Sequence, residues 1–221
     1  KYSSITVFSF HPVKIITTGE GGAATTNNEI LERKMRMFSS HGITKDSNYF
    51  IGVNKNLWNY EQQYLGYNYR ITDIQCALGI SQLKKLPSFI EKRRELVQIY
   101  DEAFLNIDLI KPIQLSKRNL SSNHLYVVRI DFKTCKFSRA ELMTKLLKEG
   151  ILTQVHYIPV TSHPYYQNLG YDTENYPNSD KYYDEALSIP LFYSLTNREQ
   201  KKVIKSLICL LYTSDAADDL V

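Results

Sequence analysis

Residues 9–22 of the chain read SFHPVKIITTGEGG and contain a single lysine, Lys14. The run Ser4 to Phe10 is rich in β-branched and aromatic residues, which predicts a strand just before this lysine. A lysine in apolar surroundings loses part of its hydration, and this loss favours the neutral amine that adds to carbonyl groups. The position therefore suits a Schiff-base lysine, although on a motif this short an edge-strand lysine whose amine reaches water is the more common case.

The glycine-rich end of this stretch, Gly19 to Gly22, also has two interpretations. It does not form a Walker loop, because the closing Lys-Ser/Thr pair is absent. A tight turn that returns through a strand at Ala23 to Thr26 and a contact to a phosphate group both remain open.

Capping boxes of the form Ser/Thr-x-x-Glu/Gln predict where helices begin, because their two side chains satisfy backbone amides that lack helical partners. Four are present: Thr72 to Gln75, Ser88 to Glu91, Ser138 to Glu141 and Thr196 to Glu199. A further helix is predicted to begin near Asn28 and to end before Gly42. Alternating apolar residues predict a strand between Leu125 and Phe132, and Ile151 to Tyr157 predicts another one after Gly150. The second half therefore contains a strand, helix, strand unit.

The polar segment Lys111 to Asn123 is the best internal boundary. It separates a predicted domain at residues 1–110 from a smaller one at residues 111–208. The segment Ile43 to Tyr69 lacks a regular period and is crowded with Tyr, Asn and Gly. Such a stretch is usually functional or mobile, so its aromatic side chains could cover a ligand or bury a subunit interface.

Both ends of the sequence are unusual. The chain begins at Lys1 without an initiator Met and enters a predicted strand at once, so we expect further sequence upstream. Residues 209–221 resemble translated sequencing adapter, and we exclude them from the fold prediction.

The composition narrows the class of protein. Hydrophobic residues make up 43% of the chain, and the net charge is +4 with basic residues scattered, which disfavours nucleic acid as a partner and allows an anionic small molecule. No apolar run approaches the roughly 20 residues of a membrane span, which predicts a cytoplasmic protein without membrane contact. The three cysteines lack metal-ligand spacing, so we expect no metal site.

The stretch Ser9 to Gly22 resembles the cofactor-lysine signature of the DegT-type sugar-nucleotide aminotransferases. The resemblance implies that Lys14 carries pyridoxal 5'-phosphate and that Ser9 binds its phosphate. Five extended residues could span about 16 Å, so the backbone must fold back between the two, and His11-Pro12 is the predicted bend.

The family also implies the fold class. We expect an α/β protein that forms the C-terminal portion of the PLP-dependent transferase fold (fold type I). It would comprise a remnant of the large-domain sheet, long helices and a small α+β C-terminal domain.

A second block, Gly66 to Gln75, is similar to the segment of this family that reaches the neighbouring subunit. The resemblance implies that Asn68 contacts the cofactor phosphate of that subunit, so that a homodimer shares its active sites. Arg70 has two interpretations, a contact to an anion or carboxylate and an ion pair with Asp73.

A third pair of blocks, residues 121–126 and 150–159, is similar to one branch of the family. That branch aminates a UDP-linked 4-keto-6-deoxy amino sugar in pseudaminic acid biosynthesis. The resemblance implies that Gln154, Val155, His156 and Tyr157 line the sugar-nucleotide site. A lone histidine is more often structural, so the role of His156 comes from the resemblance.

The implied reaction takes the amino group of glutamate and places it on the C4 ketone of the UDP-sugar. Lys14 would hold the cofactor and then move the proton as general base and acid. In the family, the acidic partner of the pyridine nitrogen and the ring-stacking residue lie upstream of the lysine, so we expect this fragment alone to be inactive. The alternatives are an aminotransferase for another 4-keto sugar nucleotide and a non-catalytic binding or assembly domain of the same fold.

Overall fold

The computed structural model describes residues 2–53, 56–113 and 120–212. The chain forms two compact units that divide between Pro87 and Ser88. The elements before the division are β1 (Thr6–Ser9), β2 (Gly22–Thr25), α1 (Glu29–Ser39), β3 (Ile43–Thr44) and β4 (Glu61–Gln62). Helix α2 (Asp73–Phe104) begins in the first unit and ends in the second. The later elements are β5 (Lys111–Pro112), β6 (Tyr126–Arg129), α3 (Arg139–Lys148), α4 (Pro164–Asn168), α5 (Pro177–Glu185), β7 (Ala186–Ile189) and α6 (Asn197–Tyr212).

The first unit contains the strand pair that frames Lys14. Strand β1 pairs with β2 in antiparallel register, from Thr6 opposite Thr25 to Ser9 opposite Gly22. This arrangement confirms the predicted strand before Lys14 and the predicted return strand after the glycines. Lys14 therefore lies in the connection between two paired strands.

Helix α1 follows β2 and begins at the predicted place. The side-chain oxygen of Asn28 accepts from the amides of Ile30 and Leu31 at 2.9 and 3.1 Å. Gly42 follows the helix with a φ of +71°, a conformation that glycine adopts at little cost. Both predicted ends of this helix are confirmed.

Helix α2 differs from the prediction of two helix starts. The Thr72 box forms, since the amide of Gln75 donates to the Thr72 hydroxyl at 3.3 Å. The Ser88 box was the wrong place for a start, because the helix continues through Pro87. A proline removes one helical hydrogen bond. Beyond Pro87, three apolar side chains at helical spacing are buried in the second unit: Leu96, Tyr100 and Phe104. Their packing favours a continuous helix over a break at the proline.

The second unit is built on a three-stranded antiparallel sheet with the order β5-β6-β7. Its inward side chains pack against helices α2, α3 and α6 in one hydrophobic cluster. Strand β6 alternates buried and half-buried residues, as predicted for Leu125 to Phe132. Helices α3 and α6 begin at the predicted boxes, where the hydroxyls of Ser138 and Thr196 each accept from an amide three residues on.

The predicted strand at Ile151 to Tyr157 is wrong. This segment meets β7 at a single bridge, where Gln154 and Ser188 exchange two backbone hydrogen bonds. Beyond that point, the Tyr182 hydroxyl donates to the carbonyl oxygen of His156 at 3.2 Å. The Tyr182 hydroxyl therefore occupies the carbonyl oxygen that the next backbone hydrogen bond to β7 would use, and the pairing stops after one residue.

Two predictions about organisation stay predictions. The domain boundary after residue 110 falls in a region of which residues 114–119 lie outside the described ranges. The second prediction is that residues 209–221 are translated adapter. Residues 209–212 complete helix α6, and residues 213–221 lie outside the described ranges. Within those ranges, every helix is too short or too polar to span a membrane.

Candidate active site

Lys14 closes a tight turn at the end of β1. Its amide donates to the carbonyl oxygen of His11 at 2.9 Å, with Pro12 in the second position of the turn, where its fixed φ is favourable. The backbone reverses between Ser9 and Lys14 as predicted. Lys14 is half-buried and lies in the loop, so the alternative of an edge-strand lysine is wrong.

Hydroxyl groups fix the part of the loop that follows Lys14. The Thr17 hydroxyl and the Thr18 amide both donate to the carbonyl oxygen of Phe10, at 2.9 and 3.0 Å. Thr18 is 5% exposed, and its own hydroxyl donates to the carbonyl oxygen of Glu20 at 2.7 Å. The loop that carries Lys14 is therefore tied at both ends to its own backbone.

The glycines at the end of the loop form the predicted tight turn. Gly21 has a φ of +153°, and a Cβ there would lie 2.3 Å from the Thr18 hydroxyl. A Cβ on Gly22 would lie 2.7 Å from the carbonyl oxygen of Phe8 in the paired strand. Close approach of the Thr18 side chain at Gly21 and of the Phe8 backbone at Gly22 explains these glycines, so the turn interpretation is confirmed.

Ser9 stands at the end of β1, before the turn that Lys14 closes. Its exposed hydroxyl oxygen is 3.5 Å from the amide of His11, which is a long contact. The imidazole of His11 accepts from the amide of Val13 at 3.4 Å and lies 3.7 Å from the Glu20 carboxylate. A hydroxyl and a primary amine thus lie on one short reversed segment.

The second predicted block pairs with the end of α1. Asn68 forms an antiparallel bridge with Ser40, and its side chain is exposed. Arg70 donates from its guanidinium to the hydroxyl of Ser40 at 3.3 Å. No ion pair joins Arg70 to Asp73 in the described part of the chain, so that alternative is wrong; the anion contact of Arg70 stays a prediction.

Gln75 links the two blocks, and sequence reasoning missed this role. Its side-chain nitrogen donates to the carbonyl oxygen of Glu20 at 2.8 Å, and its side-chain oxygen accepts from the amide of Thr72 at 3.0 Å. The capping box signals the second contact. Nothing local signals the first, because the partners are 55 positions apart in sequence.

An apolar cavity lies beside the Lys14 loop in the first unit. It is lined by Phe10, Ile16, Thr17 and Thr18 from the loop and by Gly79, Ile80 and Leu83 from α2. The accessible atoms of its wall are apolar. It offers nothing to hold the phosphates of an anionic substrate, so we do not assign the sugar nucleotide to it.

The predicted substrate segment belongs to the second unit and lies against β7. Gln154 and Tyr157 are exposed, whereas Val155 and His156 are half-buried. The rings of His156 and Tyr157 meet edge to face at 4.5 Å. The segment therefore presents polar and aromatic side chains at the edge of β7.

Tyr182, whose hydroxyl holds this segment, is half-buried. Burial changes its acidity. It raises the pKa of Tyr182, because the phenolate form would lose hydration. The hydroxyl thus stays protonated over a wide pH range and continues to donate to the carbonyl oxygen of His156.

Residues 1–208 match the model of the DegT/DnrJ/EryC1/StrS aminotransferase family. The chain belongs to this family. A UDP-4-amino-4,6-dideoxy-N-acetyl-beta-L-altrosamine transaminase of Campylobacter jejuni is 39% identical over 211 residues, which cover 96% of this chain and 53% of the relative. The chain therefore spans about half the length of the curated relatives it matches.

Two solved structures share the fold. PseC of Helicobacter pylori, an aminotransferase involved in the biosynthesis of pseudoaminic acid, is 35% identical with a TM-score of 0.83, over 95% of this chain and 54% of that one. A putative sugar aminotransferase of Streptococcus pneumoniae in its PLP-form is 31% identical with a TM-score of 0.82, over 94% and 52%. The predicted fold class is confirmed.

Proposed function

We propose that the chain is part of a PLP-dependent aminotransferase that moves the amino group of glutamate to the C4 ketone of a UDP-linked 4-keto-6-deoxy amino sugar. The observation that carries this proposal is the reversed segment that ends in the half-buried Lys14, five residues after the hydroxyl of Ser9. The names of the Campylobacter and Helicobacter relatives support the sugar nucleotide of the pseudaminic acid pathway.

The residues present fit pyridoxal 5'-phosphate by their chemistry. Lys14 supplies a primary amine for an aldehyde, and Ser9 supplies a hydroxyl donor for a phosphate oxygen. The turn at Pro12 shortens the path between them, as a compact cofactor requires. The PLP-form of the Streptococcus structure supports this assignment.

Each residue then has a role in the reaction. When bound, pyridoxal phosphate supplies an electron sink. Lys14 would hold it covalently, and its Nζ would move the proton at the substrate carbon. Ser9 and the Asn68 of a neighbouring subunit orient the phosphate, and Arg70 binds an anionic group of the substrate.

The substrate segment completes the proposal. Gln154 to Tyr157 bind the sugar nucleotide, with the exposed side chains of Gln154 and Tyr157 as contacts. A homodimer with shared active sites and a cytoplasmic location are part of the same proposal.

The test uses the full-length protein that contains this chain. After addition of pyridoxal phosphate and borohydride, peptide mass analysis should place the reduced cofactor on Lys14. Lys14→Ala should abolish both the adduct and turnover, whereas Lys34→Ala, on helix α1, should leave both as in wild type. A reducible adduct that persists in Lys14→Ala would overturn the assignment.

Substrate comparison separates the remaining alternatives. Wild-type enzyme with glutamate should aminate the UDP-linked 4-keto-6-deoxy amino sugar faster than other 4-keto sugar nucleotides. A faster reaction with another sugar would support the sister aminotransferase. A protein that binds no pyridoxal phosphate would support the non-catalytic domain.

A further inference from the structure

The imidazole of His156 lies against a buried hydroxyl of β7. Its Nδ1 is 2.7 Å from Oγ of Ser188, and Ser188 is 5% exposed. All four residues of β7 are buried, and the strand pairs with β6 along its length. The hydroxyl is therefore presented from one of the best-fixed elements of the second unit.

The backbone around His156 is fixed at two further points. Gln154 and Ser188 exchange backbone hydrogen bonds of 3.1 and 2.8 Å. The hydroxyl of Tyr182 donates to the carbonyl oxygen of His156. The His156 carbonyl and the Gln154 backbone are both held, which restricts where the His156 ring can lie. Its contact to Ser188 then favours one orientation of the ring.

The contact to Ser188 bears on which ring nitrogen of His156 is protonated. Among the described residues, Oγ of Ser188 has Nδ1 of His156 as its only hydrogen-bond partner. Donation to Nδ1 gives the buried hydroxyl proton an acceptor, whereas a proton on Nδ1 would leave the hydroxyl proton without one, so the pairing favours Nδ1 as the acceptor. A neutral imidazole held in this way carries its own proton on Nε2.

We propose that Ser188 is a positioning residue that holds His156 as the neutral Nε2–H tautomer. In this form the ring is an N–H donor of fixed direction, suited to a hydroxyl or phosphate oxygen of the nucleotide sugar. This inference rests on the proposed function, since that function supplies the substrate. Ser188 contributes through the ring that it orients.

The first experiment measures the tautomer in the full-length holoenzyme. Nitrogen-15 shifts of labelled histidine, recorded in alkaline solution where free imidazole is neutral, should show His156 with an acceptor Nδ1 and a protonated Nε2. Ser188→Ala should give a mixture of tautomers, and Ser188→Thr, which retains a hydroxyl, should restore the wild-type shifts. The exposed Ser179→Ala in α5 is the matched control and should change nothing.

The second experiment measures kinetics with the same variants. Loss of one oriented hydrogen bond should raise KM for the sugar nucleotide about fivefold in Ser188→Ala. KM for glutamate should stay near the wild-type value, because the proposed contact is made to the sugar nucleotide. Ser188→Thr should recover most of the affinity.

The outcomes are distinct. A protonated Nδ1 in wild type, or unchanged shifts in a folded Ser188→Ala, overturns the positioning role. Shifts that change while KM for the sugar nucleotide does not overturn the substrate role. A wild-type enzyme without aminotransferase activity overturns the proposed function itself, while the nitrogen shifts still decide whether Ser188 sets the tautomer.

Discussion

The side chain of Gln75 donates from Nε2 to the carbonyl oxygen of Glu20 at 2.8 Å. The oxygen of the same side-chain amide, Oε1, accepts from both the backbone amide and the hydroxyl of Thr72, each at 3.0 Å. One side-chain amide therefore caps helix α2 and holds the loop that carries Lys14. The cofactor-lysine block and the Asn68 block are connected in the first unit through this residue.

Gln75→Glu should loosen the Lys14 loop while the helix cap survives. The substitution keeps the acceptor at Oε1, but it replaces the donor with an oxygen that faces the carbonyl oxygen of Glu20. We expect a loss of about 1 kcal/mol in the free energy of unfolding, since one hydrogen bond is lost. Amide hydrogen exchange at residues 17–22 should become faster.

Thr72→Ala is the matched control for this prediction. It removes the hydroxyl partner of the cap and leaves the donor of Gln75 in place. Exchange at residues 17–22 should then stay as in wild type. Equal acceleration in both variants would mean that the cap, rather than the contact to Glu20, orders the loop.

Two glycines of the first unit should differ sharply when each is replaced by alanine. Gly19 and Gly42 have φ values of +81° and +71°, so both variants carry a similar conformational cost of about 1 kcal/mol. A Cβ on Gly19 meets nothing within 4 Å, whereas one on Gly42 would lie 1.8 Å from the carbonyl oxygen of Tyr64. Chemical denaturation should show a larger loss for Gly42→Ala, because the backbone at Tyr64 must move.

The comparison between these two variants tests the packing directly. Similar losses for Gly19→Ala and Gly42→Ala would contradict the close approach of Tyr64. Circular dichroism should confirm that helix α1, which ends just before Gly42, is retained in both variants.

Local signals explain which elements were predictable. The capping boxes at Ser138 and Thr196 and the cap at Asn28 succeeded because each cap lies within three residues of the amides it serves. The turn before Lys14 was predicted correctly because Pro12 favours one turn geometry. These features depend on short stretches of backbone.

Non-local contacts explain the failures. The Ser88 box has the residues of a cap, but burial of Leu96 and Tyr100 keeps α2 continuous beyond Pro87. Residues 151–157 have strand composition, but in the described part of the chain only Gln154 forms backbone hydrogen bonds with β7. In each case, packing with residues far along the chain decides the outcome.

The same limit applies to the candidate site. The signature around Lys14 could be recognised in the sequence because its residues are neighbours. The contacts from Gln75 to Glu20 and from Ser188 to His156 join positions 55 and 32 residues apart. Such supporting residues leave no local pattern and require the folded structure.

A buried arginine on α2 should be critical to the second unit. Arg93 is 7% exposed, and its Nη1 donates to the carbonyl oxygens of Asn123, His124 and Leu191 at 3.1, 3.1 and 3.0 Å. Burial lowers its pKa. Arg93→Ala should reduce the free energy of unfolding by about 3 kcal/mol, because several carbonyl groups lose their donor.

Arg94→Ala provides the comparison for Arg93. Arg94 is exposed and makes one long contact, from Nε to the carbonyl oxygen of Ser121 at 3.4 Å. Its loss should cost less than about 0.5 kcal/mol in chemical denaturation, as is usual for exposed positions. Comparable losses for the two variants would contradict a special role for the buried guanidinium.

The capping carboxylates should make the stability of the second unit depend on pH in acid. Hydrogen bonds from Ser138 lower the pKa of Glu141, and those from Thr196 lower the pKa of Glu199, below the ordinary value of 4.5. A carboxylate with a lowered folded-state pKa stabilises the fold above its unfolded-state pKa. This contribution is lost as the pH falls through the folded-state pKa.

The measurement is the melting temperature as a function of pH, from neutral to below the pKa of these groups. The double variant Glu141→Gln and Glu199→Gln should lose less stability than wild type on acidification, because glutamine does not titrate. Ser138→Ala should also reduce the acid dependence, since it removes the hydroxyl that donates to Glu141. Equally steep acid losses in wild type and the double variant would show that other carboxylates control the transition.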